Sequence, residues 1–208
     1  MELVLVRHGE TELNRADVFR GRADPPLNER GLRQAEAASR GLAGLPLEAA
    51  YASPLARAVQ TARIIAEPHR VEVEAHPLFI DVDYGEWSEK DIVEVGRRWP
   101  REFSLWQEDP ASLRFPGGES LPEVRERLEK GLELLRRRHR GRVLLVGHKV
   151  VNRIILCICL GLGLEGIWRL DQSNGAINLI DEAPGGWLLR RMNDVSHLSG
   201  CASADQRT

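Results

Sequence analysis

The fold of this chain is decided by one stretch of sequence, Leu3-Val4-Leu5-Val6-Arg7-His8-Gly9-Glu10-Thr11-Glu12-Leu13-Asn14. The apolar run 3–6 is typical of a short strand that is buried on both faces. The strand delivers an arginine and a histidine to its C-terminal end, and Gly9 lets the backbone turn sharply there. Because ligands bind at this end of parallel strands in open α/β sheets, we expect Arg7 and His8 to lie at a ligand site.

Composition limits the classes of protein to which the chain can belong. Its 208 residues suit one domain with a substantial core. A hydrophobic content of 42% with 29% charged residues is typical of a soluble globular protein. The net charge of −2 gives no overall attraction to nucleic acid or to an anionic membrane, so we expect neither as a partner. The apolar run at 154–164 is interrupted by glycines and is too short to span a bilayer.

The cysteines favour a reducing compartment. Cys157, Cys159 and Cys201 are too few and too oddly spaced for a disulfide framework or a zinc site. Cys157 and Cys159 lie in an apolar run, where reduced cysteine behaves as a small hydrophobe. No signal peptide is visible, because the first apolar run is short and ends in a charged residue. The sequence therefore predicts a cytoplasmic protein.

Strands and helices alternate along the chain. Apolar runs predict strands after the first at 49–52, 71–75, 143–146, 176–180 and 187–192, the last two as a hairpin. Amphipathic runs between them predict helices, of which the clearest follows the capping box of Ser120 and Glu123. This alternation predicts an α/β fold, a three-layer α/β/α sandwich around a mostly parallel central sheet.

Two further features concern the connections. Ser53 and Pro54 are interpreted as the N-cap and first residue of a helix, and Asp24 as a capping or pairing residue. The segment 77–118, rich in tryptophan, proline and charge, is interpreted as a helical lid insertion over the sheet. We expect one domain over 1–198 and a flexible tail over 199–208.

Three predicted strand ends carry basic or nucleophilic side chains. The first gives Arg7 and His8, the second is followed by a helix whose first turn holds Arg57, and a later one gives His148 and Lys149. If these strands are neighbours, two histidines and two arginines meet in one cleft. The forked donors of arginine suit phosphate oxygens, and a neutral histidine can attack phosphorus.

The same residues fall in an ordered set of motifs that covers roughly residues 2 to 197. In order, the motifs are Arg7-His8-Gly9-Glu10-Thr11, Ser53-Pro54-Leu55-Ala56-Arg57, Asp81-Val82-Asp83-Tyr84-Gly85-Glu86-Trp87, Gly117-Gly118-Glu119-Ser120 and Gly147-His148. This set resembles the histidine phosphatase superfamily, the phosphoglycerate mutase-like proteins. Within it, the chain looks most like the small monoester phosphatases, with metal-independent phosphoserine phosphatases the nearest.

The resemblance implies catalytic roles for five residues. His8 would become the phosphohistidine, while Arg7, Arg57 and His148 would bind the phosphoryl group and stabilise its charge. Asp81 would be the proton donor, at a position where the family usually has a glutamate, one methylene longer; two nearby carboxylates, at 83 and 86, are alternatives. No metal or cofactor is implied, because basic side chains supply the positive charge.

Four more residues are expected to contact the substrate. Asn14 would donate a hydrogen bond to the phosphate, and Arg20 and Gly21 fall where the family contacts its substrate. Lys149 stands where family members often have a small residue, and it is a candidate to reach a substrate carboxylate. For Arg20 and Lys149, a solvated position without substrate contact stays open.

Three functions compete. The leading one is a phosphomonoesterase acting on a small phosphorylated metabolite, such as phosphoserine or another carboxylate-bearing phosphoester. The first rival is a phosphoglycerate mutase-type phosphotransferase, and the second is a non-catalytic phosphate-binding regulatory domain. A metal site at His8 and His148 is disfavoured, because no carboxylate or cysteine lies at ligand spacing near either. An exposed sheet edge or an apolar lid face would allow a homodimer.

Overall fold

The computed structural model describes residues 1–15 and 18–199; Cys201 and the predicted tail beyond Ser199 lie outside them. Within this part of the chain, six strands form one sheet in the order β3-β2-β4-β1-β5-β6. The strands are β1 (Glu2–Arg7), β2 (Ala49–Ala52), β3 (Val73–Ala75), β4 (Arg142–Gly147), β5 (Ile177–Ala183) and β6 (Gly186–Asp194). The first four are parallel, and β5 and β6 form the predicted antiparallel hairpin.

Helices cover both faces of this sheet. They are α1 (Glu29–Leu42), α2 (Ala56–Ala66), α3 (Ile92–Arg98), α4 (Pro100–Glu108), α5 (Leu121–Arg138) and α6 (Lys149–Leu160). Side chains alternate between the faces of a strand, so Val4 and Val6 pack with α1 and α2. Leu3 and Leu5 pack with α5 and α6 on the opposite face. The predicted three-layer sandwich is confirmed.

A membrane-spanning helix is not found in the described part of the chain, since none of its helices is both long and apolar enough to cross a bilayer.

The register of the central strands places their C-terminal ends side by side. Arg7 on β1 lies opposite Gly147 on β4, and Ala52 on β2 lies opposite Val146. The His8 amide donates to the Gly147 carbonyl at 3.0 Å, which extends the pairing one residue past β1. The three loops that follow β1, β2 and β4 therefore leave the sheet at neighbouring points.

The predicted lid segment contains two short helices, α3 and α4, and an aromatic cluster. Trp87 is fully buried there and contacts Phe19 and Phe115 edge-on, with ring centres 4.9 Å and 5.1 Å away. Trp106, on α4, packs against Phe115. Aromatic packing thus fixes the lid to the loop that follows β1. The boundaries 77–118 and 1–198 stay predictions.

The predicted start of α2 is wrong. The helix begins at Ala56, and Ser53 accepts only from the amide of Leu55, at 3.4 Å. The first helical amide, that of Ala56, instead donates to Asp24 Oδ1 at 2.7 Å. A side chain from a distant loop satisfies the donor that a local cap would otherwise satisfy, and the capping role expected for Asp24 is confirmed.

Candidate active site

A cavity of about 410 Å³ opens at the C-terminal ends of β1, β2 and β4. Its walls include eight of the nine predicted site residues: Arg7, His8, Asn14, Arg20, Gly21, Arg57, Asp81 and Lys149. The ninth, His148, is 1% exposed, and its ring centre lies 5.1 Å from that of His8. The fold therefore brings all nine residues together.

His8 is buried and held in one tautomer. Its Nδ1 lies 2.6 Å from the Gly9 carbonyl, which can only accept, so Nδ1 carries the proton. The other nitrogen, Nε2, keeps its lone pair and accepts from Arg57 Nε at 3.3 Å. Burial, and then the charges of Arg57 and Arg7, lower the pKa of His8 well below its usual value. His8 is therefore a neutral imidazole whose unprotonated Nε2 carries the lone pair that nucleophilic attack requires.

Arg57, in the first turn of α2, connects the loop after β1 to the predicted proton donor. Its Nη1 donates to the Ala23 carbonyl at 2.6 Å, and its Nη2 donates to the Gly21 carbonyl at 2.9 Å. The same Nη2 lies 3.1 Å from Asp81 Oδ2. With 2% exposure, the guanidinium is fixed beside the His8 ring. A planar group held in this way suits a transferring phosphoryl group.

Arg7 is anchored on one side only. Its Nη1 donates to the Gln172 carbonyl at 2.7 Å, while its buried Nε has no hydrogen-bond partner within the described ranges. Burial, and then the charge of Arg20, lower the pKa of Arg7. An anion in the cavity would satisfy the unused donor and offset the burial of the charge.

Asp81 lies next to His148, the second histidine of the pair. Asp81 Oδ1 accepts from the Val82 amide at 2.9 Å, and Oδ2 lies 3.5 Å from His148 Nδ1. Burial raises the pKa of Asp81, although Arg57 opposes the shift. Burial, followed by Arg57 and His8, lowers the pKa of His148 well below its usual value. The cavity thus places a carboxyl with a raised pKa beside two neutral imidazoles.

The alternative proton donors do not line the cavity. Asp83 Oδ2 pairs with Arg22 at 3.0 Å, and Asp83 Oδ1 accepts from the Gly85 amide. Glu86 is exposed. Of the carboxylates at 81, 83 and 86, Asp81 is therefore the one that lines the cavity.

The predicted substrate contacts differ in how they are held. Asn14 Oδ1 accepts from the Thr11 amide and hydroxyl at 2.8 and 2.9 Å. The buried Nδ2 of Asn14 has no hydrogen-bond partner in the described structure. Arg20 donates to the Leu13 carbonyl at 2.7 Å. Lys149 is half-buried, and burial and then the charge of Arg153 lower its pKa. Asn14 and Lys149 therefore present donors to the cavity.

Sequence reasoning missed further residues that line the cavity, among them Tyr84, Arg153, Trp168 and Asn174. Arg153 had a signal, since it follows Lys149 by four positions on one helix and so shares its face. Asn174 had none. Its Nδ2 donates to the His8 carbonyl at 3.1 Å across 166 positions, a contact that only the folded chain reveals.

No three histidine, cysteine, aspartate or glutamate side chains are grouped to hold a metal ion in the described regions of the chain. The positive charge at this cavity comes instead from basic side chains, with arginines on β1 and α2 nearest His8.

Comparisons with known proteins agree with this geometry. The chain is 36% identical over 199 residues to phosphoserine phosphatase 1 of Hydrogenobacter thermophilus, covering 95% of this chain and 94% of that one. It is 33% identical to a Proteus mirabilis protein named "Probable phosphoglycerate mutase GpmB", with 97% of each chain covered. The solved α-ribazole phosphatase of Shigella flexneri has a TM-score of 0.85 at 26% identity, covering 93% of this chain and 96% of that one. Residues 3–195 match the family described as histidine phosphatase superfamily (branch 1), and the chain belongs to that family.

Proposed function

We propose that this chain is a phosphomonoesterase that hydrolyses small phosphorylated metabolites through a phosphohistidine at His8. The observation that carries the proposal is the state of His8: a buried, neutral ring whose Nε2 lone pair faces a cavity lined by cations. Phosphoryl transfer needs little covalent help from the protein beyond positioning and charge stabilisation. Arg7 and Arg57 supply both beside the reacting nitrogen.

In the first step, His8 Nε2 attacks phosphorus in line with the leaving oxygen. The N–P bond forms as the P–O ester bond breaks, and negative charge spreads over the three remaining oxygens. Arg7, Arg57 and Asn14 donate hydrogen bonds to these oxygens, and His148, whose ring centre lies 5.1 Å from that of His8, helps to stabilise their charge. Asp81 gives its proton to the departing alcohol, for which its raised pKa suits it.

In the second step, water attacks the phosphohistidine. The Asp81 carboxylate, which has lost its proton, takes one from the water, and inorganic phosphate leaves as the N–P bond breaks. His8 returns to its neutral form with Nδ1 bound to the Gly9 carbonyl. One carboxyl therefore serves as acid and then as base, and the cycle ends in the starting protonation state.

The test is to trap the intermediate. With EDTA present, the protein is mixed with p-nitrophenyl phosphate, quenched in alkali and analysed by mass spectrometry for a phosphohistidine that is stable to alkali and labile to acid. We expect the label at position 8, loss of label and turnover in His8→Ala, and retention of both in His69→Ala, a histidine outside the cavity.

Two outcomes would contradict the proposal. If the phosphoryl group passes only to a second hydroxyl of the substrate and no inorganic phosphate is released, the protein is a phosphotransferase. If vanadate binds but p-nitrophenyl phosphate is not turned over, the protein is a phosphate-binding regulator, since this leaving group needs little protonation.

The proposal also includes the oligomeric state and the cellular location of the protein. The edge strand β6 exposes Leu188 and Met192, each 42% exposed, and a homodimer would bury them. Sedimentation of the wild type against Leu188→Glu tests this arrangement. A cytoplasmic location, and the lack of a nucleic-acid partner expected from the net charge, stay predictions.

A further inference from the structure

The cavity holds a second pair of basic side chains, Lys149 and Arg153, that the proposed chemistry does not use. Lys149 and Arg153 lie one turn apart on α6, so they share a face of the helix, and both line the cavity. The contacts of Arg153 are with Trp168 and Asp171, whereas Arg57 contacts His8 and Asp81. Arg153 and Arg57 therefore have different neighbours.

Arg153 is a buried cation with unused hydrogen-bonding capacity. It is 9% exposed, and its Nε has no hydrogen-bond partner in the described part of the protein. Its Nη2 lies 3.5 Å from Asp171 Oδ1, but the Asp171 side chain is 67% exposed and so is largely hydrated. A long ion pair with a solvated carboxylate compensates little for burying a guanidinium.

An aromatic wall sets the position of Arg153. Its guanidinium carbon lies 5.4 Å from the centre of the Trp168 ring, within cation–π range. Trp168 Nε1 donates to the Trp106 carbonyl at 3.1 Å, and the two indoles pack edge-on at 4.5 Å. Trp168 is thus fixed to the lid. Because a ring supports one face of the guanidinium, the N–H groups in its plane stay available to a ligand.

The two cations also act on each other. Burial lowers the pKa of Lys149, and the charges of Arg153 and Arg7 lower it further. Burial is the main cause that lowers the pKa of Arg153. Their mutual repulsion remains as long as no anion lies between them. A second anion between Lys149 and Arg153 would remove it.

We propose that Lys149 and Arg153 form a second anion subsite, which binds a carboxylate or a second phosphate on the leaving alcohol. The inference rests on the proposed phosphomonoesterase function and narrows its substrates to monoesters whose alcohol is itself anionic. Lys149 directly follows His148 in the chain, and Lys149 and Arg153 line the same cavity as His8. Arg153, which the sequence did not single out, then determines substrate specificity together with Lys149.

The test compares substrate pairs that differ in one anionic group. The carboxylate arm uses phosphoserine against phosphoethanolamine, and 3-phosphoglycerate against glycerol 3-phosphate; the phosphate arm uses propane-1,3-diol bisphosphate against its monophosphate. We expect kcat/KM for the charged member to exceed that of its partner by about tenfold or more in at least one arm, as charged hydrogen bonds imply. The ratio of the two kcat/KM values, charged member over its partner, should fall toward one in Lys149→Gln and Arg153→Gln.

Two controls separate charge recognition from structural damage. Arg137→Gln removes an exposed arginine paired with Glu133 on α5 and should leave the ratio unchanged. Arg153→Lys keeps the charge and should restore part of the ratio, which a purely structural role would not do. A wild-type ratio near one in both arms, or a ratio unchanged in both glutamine variants, would overturn the subsite. If phosphate is released from the substrates that lack the second anionic group, the proposed phosphomonoesterase function holds even when the subsite is overturned. If no monoester releases phosphate, that function is contradicted instead.

Discussion

The side chain of Asp81 is one methylene shorter than the glutamate that the family resemblance implies at this position, yet it reaches Arg57 and His148. Its Oδ2 is 3.1 Å from Arg57 Nη2 and 3.5 Å from His148 Nδ1, and the Val82 amide fixes the other oxygen. Burial raises its pKa, and a bound phosphate dianion would raise it further. Both effects favour the protonated carboxyl, which is the form that the proposed general acid requires.

Replacing Asp81 by asparagine should separate substrates by leaving group. Alkyl phosphates need a proton on the departing oxygen, so we expect kcat for phosphoserine to fall by about 10²–10⁴-fold. p-Nitrophenyl phosphate leaves as a stable anion and should be slowed far less. Steady-state rates on both substrates measure the difference, with Asp83→Asn, outside the cavity, as the control. Equal slowing of the two substrates would remove Asp81 as the proton donor.

At the scale of elements, the first turn of α1 and the loop after β1 are fitted tightly together. The Glu10 amide donates to Gln34 at 2.8 Å, and the Glu10 carboxylate accepts from Asn28 and Arg30 at 3.0 Å. A Cβ placed at Gly31 would lie 2.0 Å from the Glu10 carbonyl oxygen. Since this loop leads directly from His8, the helix supports the nucleophile through its backbone.

The substitution Gly31→Ala should therefore destabilise the protein and impair catalysis together. Because backbone cannot move aside as a side chain can, we expect a loss of about 1–3 kcal/mol in the free energy of unfolding. The loop that carries His8 must also shift, which should lower kcat. Urea unfolding and turnover measure both effects. Gly44→Ala is the matched control, since nothing lies within 4 Å of its added Cβ; equal stability of the two variants would contradict the tight approach.

The helix caps and strand ends could be predicted from the sequence only where the residues that determine them lie close together in the chain. The capping box of Ser120 and Glu123 lies within one turn and was predicted correctly. The cap of α2 comes from Asp24, 32 positions before the amide it accepts from, so a capping or pairing role for Asp24 could be expected but no local pattern could assign it to α2. The third strand was predicted from position 71 and begins at Val73, because strand ends depend on pairing with β2.

For the whole molecule, the convergence of the site could be predicted, but its outer wall could not. Parallel strands place their C-terminal ends at one edge, so Arg7 and His148 could be expected together before the strand order was known. Trp168 and Asn174 arrive from the segment between α6 and β5. Their positions follow from the return of the chain beside β1 as an antiparallel strand, which is a tertiary property. The convergence of the residues at the strand ends was therefore predictable, whereas the positions of Trp168 and Asn174 were not.

The burial of two neutral histidines should also be visible in the pH dependence of stability. The pKa values of His8 and His148 are lowered well below 6.5 in the folded protein, so below pH 6.5 the unfolded chain takes up protons that the folded one does not. Stability is therefore lost as the pH falls below 6.5, by at most about 1.4 kcal/mol per pH unit for each histidine. His197, whose pKa is lowered by burial, acts in the same direction. The raised pKa of Asp81 acts oppositely, because its contribution is complete below pH 3.8 and is lost as the pH rises through the folded value.

Urea unfolding between pH 5 and pH 8 measures this dependence directly. The wild type should lose stability from pH 6.5 downward, and His148→Asn should show a shallower slope because one buried imidazole is gone. His69→Asn, which changes a histidine outside the cavity, should keep the wild-type slope. A slope that is flat, or that is unchanged in His148→Asn, would mean that burial does not lower the pKa of the histidine pair. That result would contradict the environment that keeps His8 neutral, on which the proposed nucleophilic attack depends.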